Sequence, residues 1–212
     1  MALTFYCGSG SPFAWKVWLA LEHKGVPYEL KVLSFQDGDL KKPDYLAINP
    51  RGKVPALVDD DLRLFESSAI VEYLDDKYPA KPVIGRDPGT RAIARRIAAE
   101  VDSYLYPTAR KLLAQTLFRA AGTGDPIEIA TAKEELTKEL ARFESYSSGG
   151  FFLGGSPTLA DYAVYPMIAL ARRIELKQPG NGITIPAKLQ SFAKTVEGLP
   201  YLGKTIPPHW KA

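Results

Sequence analysis

The sequence predicts a mixed α/β module followed by an all-helical module. Segments with the short, apolar or alternating pattern of strands occur only before residue 66. Residues 79–89 are rich in proline and glycine, and the segments after them have helical periodicity alone. We therefore expect a first module at residues 1–78, a linker at 79–89 and a helical module at 90–212.

The first module begins with a strand, a helix and a second strand. Residues 3–7 are apolar and aromatic, as in a buried strand. Ser11 and Pro12 have the residue types preferred at the N-cap and the first position of a helix, and Lys24-Gly25 is typical of a helix end. Residues 26–32 alternate apolar and polar. Since a helix joins the two strands, they are predicted to be parallel.

A hairpin and a helix complete this module. Residues 54–58 and 62–65 are short apolar segments on either side of an acidic triplet, which predicts an antiparallel pair. A helix is expected at 66–77 and a weak one at 42–47. Pro55 cannot donate to a sheet ladder, so it is expected at the start of a strand, after an ordinary trans peptide bond. A cis Val54–Pro55 bond is the alternative, and it would direct the Val54 backbone groups towards a bound molecule.

The second module has four predicted helical segments: 91–118, with Pro107 expected to kink or divide it, then about 126–146, 158–173 and 187–196. Thr158 and Asp161 have the spacing of a capping box, with Asp in place of the usual Glu. We interpret these two residues as structural rather than substrate-binding.

Composition excludes several classes of protein. The 212 residues are 46% hydrophobic and 24% charged, with a formal net charge of +3 and no long basic run, which argues against nucleic acid as a partner. No apolar run approaches the roughly 18 residues of a membrane span, and the N-terminus does not resemble a signal peptide. One cysteine and two histidines are too few for a structural zinc site. We expect no metal, and a cytoplasmic protein.

Three loops at strand ends carry polar groups that suit a bound ligand. Ser11 is placed at a helix start, where its hydroxyl either only caps the helix or also faces an anion. The Val54 backbone and the pair Glu66-Ser67 follow at later strand ends. Together they predict a site for a small, extended, peptide-like ligand. Ser11 is not expected to be a hydrolase nucleophile, because no G-x-S-x-G motif is present.

These loops closely resemble those of the cytosolic glutathione S-transferases. The matching segments are Ser11-Pro12-Phe13, Asn49-Pro50-x-Gly52-Lys53-Val54-Pro55-Ala56-Leu57, Leu64-x-Glu66-Ser67-x-Ala69-Ile70 and Gly154-Gly155-Ser156-Pro157-Thr158-Leu159-Ala160-Asp161. The resemblance implies a thioredoxin-like N-terminal domain with a cis-proline, an all-helical C-terminal domain and a homodimer. Serine at the thiol-facing position is similar to theta-, zeta-, phi- or tau-like members.

The resemblance also implies a role for each matching residue. Ser11 is expected to donate a hydrogen bond to the sulfur of glutathione, and Val54, before Pro55, to pair with the cysteinyl unit. The remaining residues expected to bind glutathione are Phe13, Lys41, Lys53, Glu66, Ser67 and, from a neighbouring subunit, Asp102. Lys41 and Lys53 would reach the glycyl carboxylate. A hydroxyl donor at a helix N-terminus lowers the pKa of a thiol, which makes a thiolate accessible at neutral pH.

The expected activity is transfer of glutathione to hydrophobic electrophiles in a pocket with aromatic walls from Phe13, Phe35, Tyr104 and Phe118. Cys7 is expected to be buried and inert. Two alternatives remain open. One is a specialised glutathione-dependent enzyme, namely a dehalogenase, an isomerase or a peroxidase. The other is a non-catalytic ligand-binding protein on the same fold.

Overall fold

The computed structural model describes residues 3–210, which form two compact units. The first contains residues 3–87 together with 200–210, and the second is Pro88–Leu199. The first unit is a mixed α/β structure and the second is helical. The α/β-plus-helical class predicted from the sequence is therefore confirmed.

The first unit is organised around a four-stranded sheet with the order β2-β1-β3-β4. Its strands are β1 (Leu3–Gly8), β2 (Tyr28–Leu33), β3 (Ala56–Asp59) and β4 (Leu62–Phe65). β1 and β2 are parallel, whereas β3 is antiparallel to both β1 and β4. Both predicted pairings are confirmed, although the third strand begins at Ala56 rather than at residue 54.

Three helices accompany the sheet: α1 (Pro12–Lys24), the short α2 (Pro43–Leu46) and α3 (Ser67–Lys77). α1 packs against α3 and β1. It ends at Gly25, which has the left-handed conformation (φ 66°) expected of a glycine after a helix. The core of the unit contains the fully buried side chains Phe5, Leu19, Leu21, Leu57, Ile70 and Leu74. Burial of each such side chain contributes about 1.5–3 kcal/mol.

A buried ion pair fastens the chain after α3 to this unit. Lys24 Nζ donates to the Asp75 carboxylate (2.8 Å) and to the carbonyl oxygens of Tyr78 and Lys81 (2.9 Å each). The same carboxylate accepts the Val83 N–H at 2.7 Å. The proline-rich stretch predicted as a linker is thus held to the first unit by several charge-assisted hydrogen bonds.

The helical unit begins at Pro88, two residues before the predicted start. It contains α4 (Pro88–Glu100), α5 (Tyr106–Gln115), α6 (Pro126–Tyr146), α7 (Leu159–Lys177) and α8 (Ala187–Glu197). α7 packs against α4, α5 and α8. A π-helical segment, Val101–Leu105, joins α4 to α5, and the Tyr106 N–H bonds to the Val101 oxygen. The expected interruption near Pro107 therefore takes the form of a π-bulge.

The capping motif of α7 forms as predicted. The buried Asp161 carboxylate accepts the N–H of Thr158 (2.6 Å), its hydroxyl (2.8 Å) and the N–H of Phe152 (2.8 Å). The capping box at Thr158 and Asp161 is present. Burial raises the pKa of Asp161 to about 6. The motif ties the preceding loop to the helix, which fits the structural role expected for it.

The segment at residues 200–210 departs from the predicted boundary. The helical pattern of the sequence predicts that it belongs to the helical module, but it packs with the first unit, where α9 (Leu202–Thr205) contacts α1. Trp15 Nε1 donates to Thr205 Oγ1 at 2.9 Å, and His23 Nδ1 lies 3.0 Å from the Tyr201 hydroxyl. These bonds join residues 178–190 positions apart, which no local pattern reveals.

Candidate functional site

The strand register brings the three predicted loops to one end of the sheet. Tyr6 of β1 is opposite Ala56 of β3, and Ala56 is opposite Phe65 of β4. The chain leaves β1 towards Ser11 at this end, enters β3 from Val54, and leaves β4 into Glu66. In β2, Leu33 is paired with Gly8, so the loop that carries Phe35 begins here as well.

Ser11 is the N-cap of α1, as predicted. Its backbone is extended (φ −70°, ψ 120°), and its Oγ accepts the Ala14 N–H at 3.3 Å. Its own N–H donates to the Gly8 oxygen at 3.0 Å, which closes the turn after β1. The cap uses a lone pair of the hydroxyl oxygen and leaves the O–H to donate elsewhere. A capping serine at this position can therefore also stabilise an anion.

The loop before β3 is held by its own side chains. The Lys53 carbonyl accepts hydrogen bonds from the Tyr45 hydroxyl (2.5 Å) and Asn49 Nδ2 (2.7 Å). Gly52 has φ +57°, and a Cβ there would lie 2.9 Å from the Leu40 oxygen, so the turn needs glycine. These contacts orient the backbone immediately before Val54.

The Val54–Pro55 peptide bond is cis, the second of the two alternatives that the dipeptide allows. Both residues are buried and precede the first ladder pair of β3. Among residues 3–210, the backbone hydrogen bonds outside helices and strands do not include Val54. Its side chain packs with Tyr45 and Ala56.

Glu66 has an unusual backbone conformation at the start of α3. Its φ is 71° and ψ 109°, outside the regions favoured by residues with a side chain. The Ile70 N–H bonds to its carbonyl at 3.0 Å, so the helix that follows keeps Glu66 in place. Ser67, the first residue of α3, is buried, and Glu66 is exposed. Residues with an unusual backbone conformation like that of Glu66 are concentrated at ligand-binding sites.

Phe35 covers the end of β1. A Cβ built on Gly8 would lie 2.5 Å from Phe35 Cζ and 2.9 Å from Val54 Cγ2, so the ring and the valine meet over this glycine. The Phe35 side chain is nevertheless 54% exposed. Its loop is supported by Ser34, whose N–H donates to Asp39 Oδ2 at 2.9 Å. An exposed aromatic ring beside Val54 offers an apolar contact to a bound molecule.

The other predicted residues of the first unit are partly or fully exposed. Phe13 is half-buried in the first turn of α1, and the centroid of its ring lies 5.5 Å from Lys16 Nζ. Lys16 Nζ also donates a hydrogen bond to Ser68 Oγ at 3.3 Å. Lys41 and Lys53 are exposed, on either side of α2. Their ammonium groups therefore face solvent, where a carboxylate would meet them.

In the helical unit, Asp102 lies in the π-helical segment and is half-buried. Tyr104 and Phe118 are 61% and 66% exposed. Large apolar side chains with that much exposure are candidates for ligand contacts, although single ones also occur on ordinary surfaces.

Cys7 is buried, and desolvation raises the pKa of its thiol to about 12. It is therefore a neutral thiol at physiological pH, with the low nucleophilicity expected from the sequence.

Two further observations concern residues 3–210 only. No group of three or more His, Cys, Asp or Glu side chains in this range could hold a metal ion. No helix within it is long and apolar enough to cross a membrane.

Residues 205–210 make contacts near Ser11 that the sequence does not predict. His209 lies against the loop at Ser9, and Trp210 packs edge-on against Trp15 with ring centroids 5.3 Å apart. One signal in the sequence is Trp15 in the first helix, because a buried indole N–H usually has a hydrogen-bond acceptor, here Thr205.

Comparison with known proteins identifies the family. Models of the glutathione S-transferase N-terminal and C-terminal domains match residues 10–77 and 126–190. The chain is 34% identical to glutathione S-transferase 3 of Zea mays, over 93% of this chain and 92% of that one. It is 35% identical to a probable maleylacetoacetate isomerase of Caenorhabditis elegans, over 78% and 77% respectively. A structure of the glutathione transferase URE2P6 of Phanerochaete chrysosporium, in complex with oxidised glutathione, superimposes with a TM-score of 0.82 at 30% identity, covering 99% and 96%.

The chain therefore belongs to the glutathione S-transferase family. The thioredoxin-like fold, the enzyme class and glutathione as co-substrate, all expected from the resemblance, are confirmed at the level of the family.

Proposed function

We propose that this chain conjugates glutathione to hydrophobic electrophiles and that the Ser11 hydroxyl holds the glutathione sulfur as a thiolate. The observation that carries the proposal is the geometry of Ser11. Its Oγ accepts the Ala14 N–H, which leaves the hydroxyl hydrogen to donate to another acceptor. The N-terminus of α1 adds a positive dipole end beside that acceptor.

The chemistry requires little more than an ionised sulfur. A free thiol has a pKa near 8.5, and hydrogen bonding to the charged form lowers it. The thiolate attacks the electrophilic carbon, a carbon–sulfur bond forms, and the leaving group departs with the bonding electrons. The thiol proton goes to solvent when glutathione binds. Ser11 keeps its own proton throughout and acts as a hydrogen-bond donor.

Glutathione would be held at three points along its length. The Val54 backbone would pair with the cysteinyl unit beside Pro55, whereas Glu66 and Ser67 would bind the γ-glutamyl end. The N-terminus of α3 supports this orientation, because the positive end of a helix dipole favours the γ-glutamyl carboxylate. Exposed lysines on either side of α2 suit the glycyl carboxylate.

Lys41 and Lys53 are the lysines proposed to bind the glycyl carboxylate. Phe13 is a further proposed contact of glutathione. Asp102 is proposed to approach the γ-glutamyl amine bound to a neighbouring subunit. A half-buried carboxylate can pair with an ammonium group at lower desolvation cost than a fully buried one. That role requires the homodimer typical of the family.

For the electrophile we propose flat, apolar molecules. The half-exposed Phe35 ring beside Val54 supports this choice, because aromatic pairs gain about 0.5–1.5 kcal/mol beyond the burial of their area. Phe13 is proposed as a second contact of the first unit. Tyr104 and Phe118, exposed on the helical unit, are proposed as its contribution to electrophile binding.

A second candidate function is isomerisation with glutathione as a recycled cofactor. The 35% identity to a probable maleylacetoacetate isomerase favours it. The same thiolate would add to an activated double bond and leave again after rotation about the resulting single bond. Conjugation consumes glutathione, whereas isomerisation returns it unchanged.

We also propose a cytoplasmic homodimer with a role in detoxification. The buried thiol of Cys7 suits a reducing compartment, and an apolar electrophile pocket suits disposal of reactive compounds.

The test combines binding and turnover. The protein should be retained on immobilised glutathione and should convert an aromatic chloro-nitro substrate with loss of one glutathione per product. Turnover of a cis-unsaturated diacid without loss of glutathione would favour the isomerase instead. Glutathione binding without turnover of any electrophile would contradict both and leave a ligand-binding protein. Sedimentation at micromolar concentration tests the dimer.

A further inference from the structure

Residues 205–210 fold back onto the loop that leads into α1. Trp15 Nε1 donates to the buried Thr205 Oγ1 at 2.9 Å, and Trp210 stands perpendicular to Trp15 at 5.3 Å. A small pocket between this segment and the loop is lined by Gly8, Ser9, Ser11, Thr205 and Pro207, among others. The segment and Ser11 therefore line the same pocket.

His209 makes the contact with the loop itself. Its Nδ1 lies 2.5 Å from Ser9 Oγ, and its Nε2 lies 3.0 Å from Trp210 Nε1. An indole nitrogen can only donate, so Nε2 must accept. In a neutral imidazole the proton is then on Nδ1, which donates to Ser9 Oγ. These two contacts therefore favour the tautomer with the proton on Nδ1, and His209 is the donor in its bond to Ser9.

The ring also limits where the loop backbone can lie. Gly10 has φ +86°, and a Cβ there would be 2.9 Å from His209 Cε1. The imidazole is thus packed directly on the backbone one residue before Ser11. With the Ser11 N–H bonded to Gly8, the turn is held both from within and from residue 209.

We propose that His209 is a positioning residue for Ser11: through Ser9 and Gly10 it holds the turn in the conformation that directs the Ser11 hydroxyl at the glutathione sulfur. The proposal rests on the role proposed above for Ser11. Displacement of a catalytic group by about 1 Å can reduce a rate about a hundredfold, so a contact two residues away is sufficient to matter. His209 acts through the loop and does not itself contact glutathione.

The test compares three variants of the full chain with the wild type. His209→Phe keeps a planar ring and loses both hydrogen bonds. His209→Asn restores a donor near the position of Nδ1 and places no acceptor at the position of Nε2, so it keeps the bond to Ser9 and loses the one from the indole. Ser9→Ala removes the partner hydroxyl. Each variant is first checked by thermal unfolding, and His209→Asn keeps the test usable if His209→Phe is poorly folded.

Two readouts separate positioning from general structure. Ultraviolet titration gives the pKa of the bound thiol, and kinetics give kcat and the KM for glutathione. His209→Phe should raise that pKa and lower kcat by about tenfold, with the glutathione KM changed by less than about twofold, because Val54 and Glu66 are untouched. Ser9→Ala should act in the same way, and the double variant should be no worse than either single one. His209→Asn should recover most of the loss.

A third measurement needs no glutathione. Amide hydrogen exchange at residues 9–11 should be faster in His209→Phe than in the wild type, by about tenfold. A folded His209→Phe variant with wild-type exchange, thiol pKa and kcat would overturn the positioning role.

Ser11→Ala in the same titration separates this proposal from the one on which it rests. If Ser11→Ala raises the bound-thiol pKa and His209→Phe does not, the positioning role fails and the role of Ser11 stands. If Ser11→Ala leaves that pKa unchanged, the role of Ser11 fails, and the positioning of its hydroxyl fails with it.

Discussion

Replacement of Ser11 by alanine separates two contributions of one hydroxyl. Ser11 caps α1 by accepting the Ala14 N–H, and it is proposed to donate to the glutathione thiolate. Alanine removes both functions without adding bulk. The two effects are measured by different assays, so their magnitudes can be predicted separately.

The thiolate effect is the larger one. A hydrogen bond to a charged group contributes about 1.5–3 kcal/mol, and one pKa unit corresponds to about 1.4 kcal/mol. The pKa of the bound thiol should therefore rise by about 1–2 units in Ser11→Ala. For a bound thiol that ionises near neutrality, the thiolate fraction at pH 7 and kcat should both fall by about five- to fiftyfold. Glutathione affinity should stay within a few-fold, because the contacts proposed for Val54, Glu66 and Ser67 do not involve the Ser11 hydroxyl.

The stability effect is smaller. Loss of an N-cap costs about 0.5–2 kcal/mol, and the 3.3 Å bond to Ala14 places Ser11 in the lower half of that range. Thr158→Ala provides the matched control, because it removes a hydroxyl from the cap of α7 and should cost about 1 kcal/mol. It should leave the bound-thiol pKa unchanged.

The assay is an ultraviolet titration of thiolate in the glutathione complex, with chemical unfolding run on the same samples. A Ser11→Ala protein that binds glutathione and shows the wild-type thiol pKa would refute the reasoning. An equal rise of that pKa in Thr158→Ala would refute it as well, because the effect would then come from lost stability.

Three further predictions concern binding, reactivity and pH. Glu66→Gln keeps the backbone at φ 71° and removes the charge; the KM for glutathione should rise by about three- to tenfold with little change in unfolding free energy. Cys7→Ala should keep more than about half of the activity, because burial raises the pKa of that thiol to about 12 and leaves it neutral. Burial, aided by Lys24 and Lys81, lowers the pKa of His23 to about 4, below its unfolded value of about 6.5. Between pH 6.5 and 4 the unfolded chain binds a proton at His23 that the folded protein does not. The free energy of unfolding should therefore be highest above pH 6.5 and should fall by about 1–2 kcal/mol as pH falls towards 4, after allowance for partial solvent screening.

Each of these has a control and an opposing outcome. Unchanged glutathione kinetics in Glu66→Gln would exclude a role for its charge in binding. Alkylation of native Cys7 at pH 8, at the rate of free cysteine, would contradict its burial. For His23, the control is His23→Gln, whose unfolding free energy should lose less between pH 6.5 and 4 than that of the wild type; identical pH profiles would contradict the assignment.

Most of the local structure was predictable from sequence. The cap at Ser11, the glycine that ends α1, the hairpin after β3 and the capping box at Thr158 all depend on residues within four positions of one another. Boundaries were less accurate. β3 begins at Ala56 because the loop before it is held by Tyr45 and Asn49, which the strand pattern does not show.

The form of the break near Pro107 was also beyond the sequence. A proline lacks the N–H that an α-helix needs, so an interruption was expected. Whether the chain kinks, stops or inserts a π-bulge depends on how the neighbouring helices pack, and here α5 packs against both α6 and α7.

The sequence by itself determined the kind of elements, their order and three loops whose polar groups suit an extended, peptide-like ligand, because caps, turns and periodicity arise from near neighbours in the chain. Tertiary structure decided which distant residues meet. The register that aligns Tyr6, Ala56 and Phe65 brings the loops to one end of the sheet, and packing of Thr205 on Trp15 carries His209 to Ser9, 200 residues away. Contacts of that separation are set by the burial of whole elements against each other, and no local pattern encodes them.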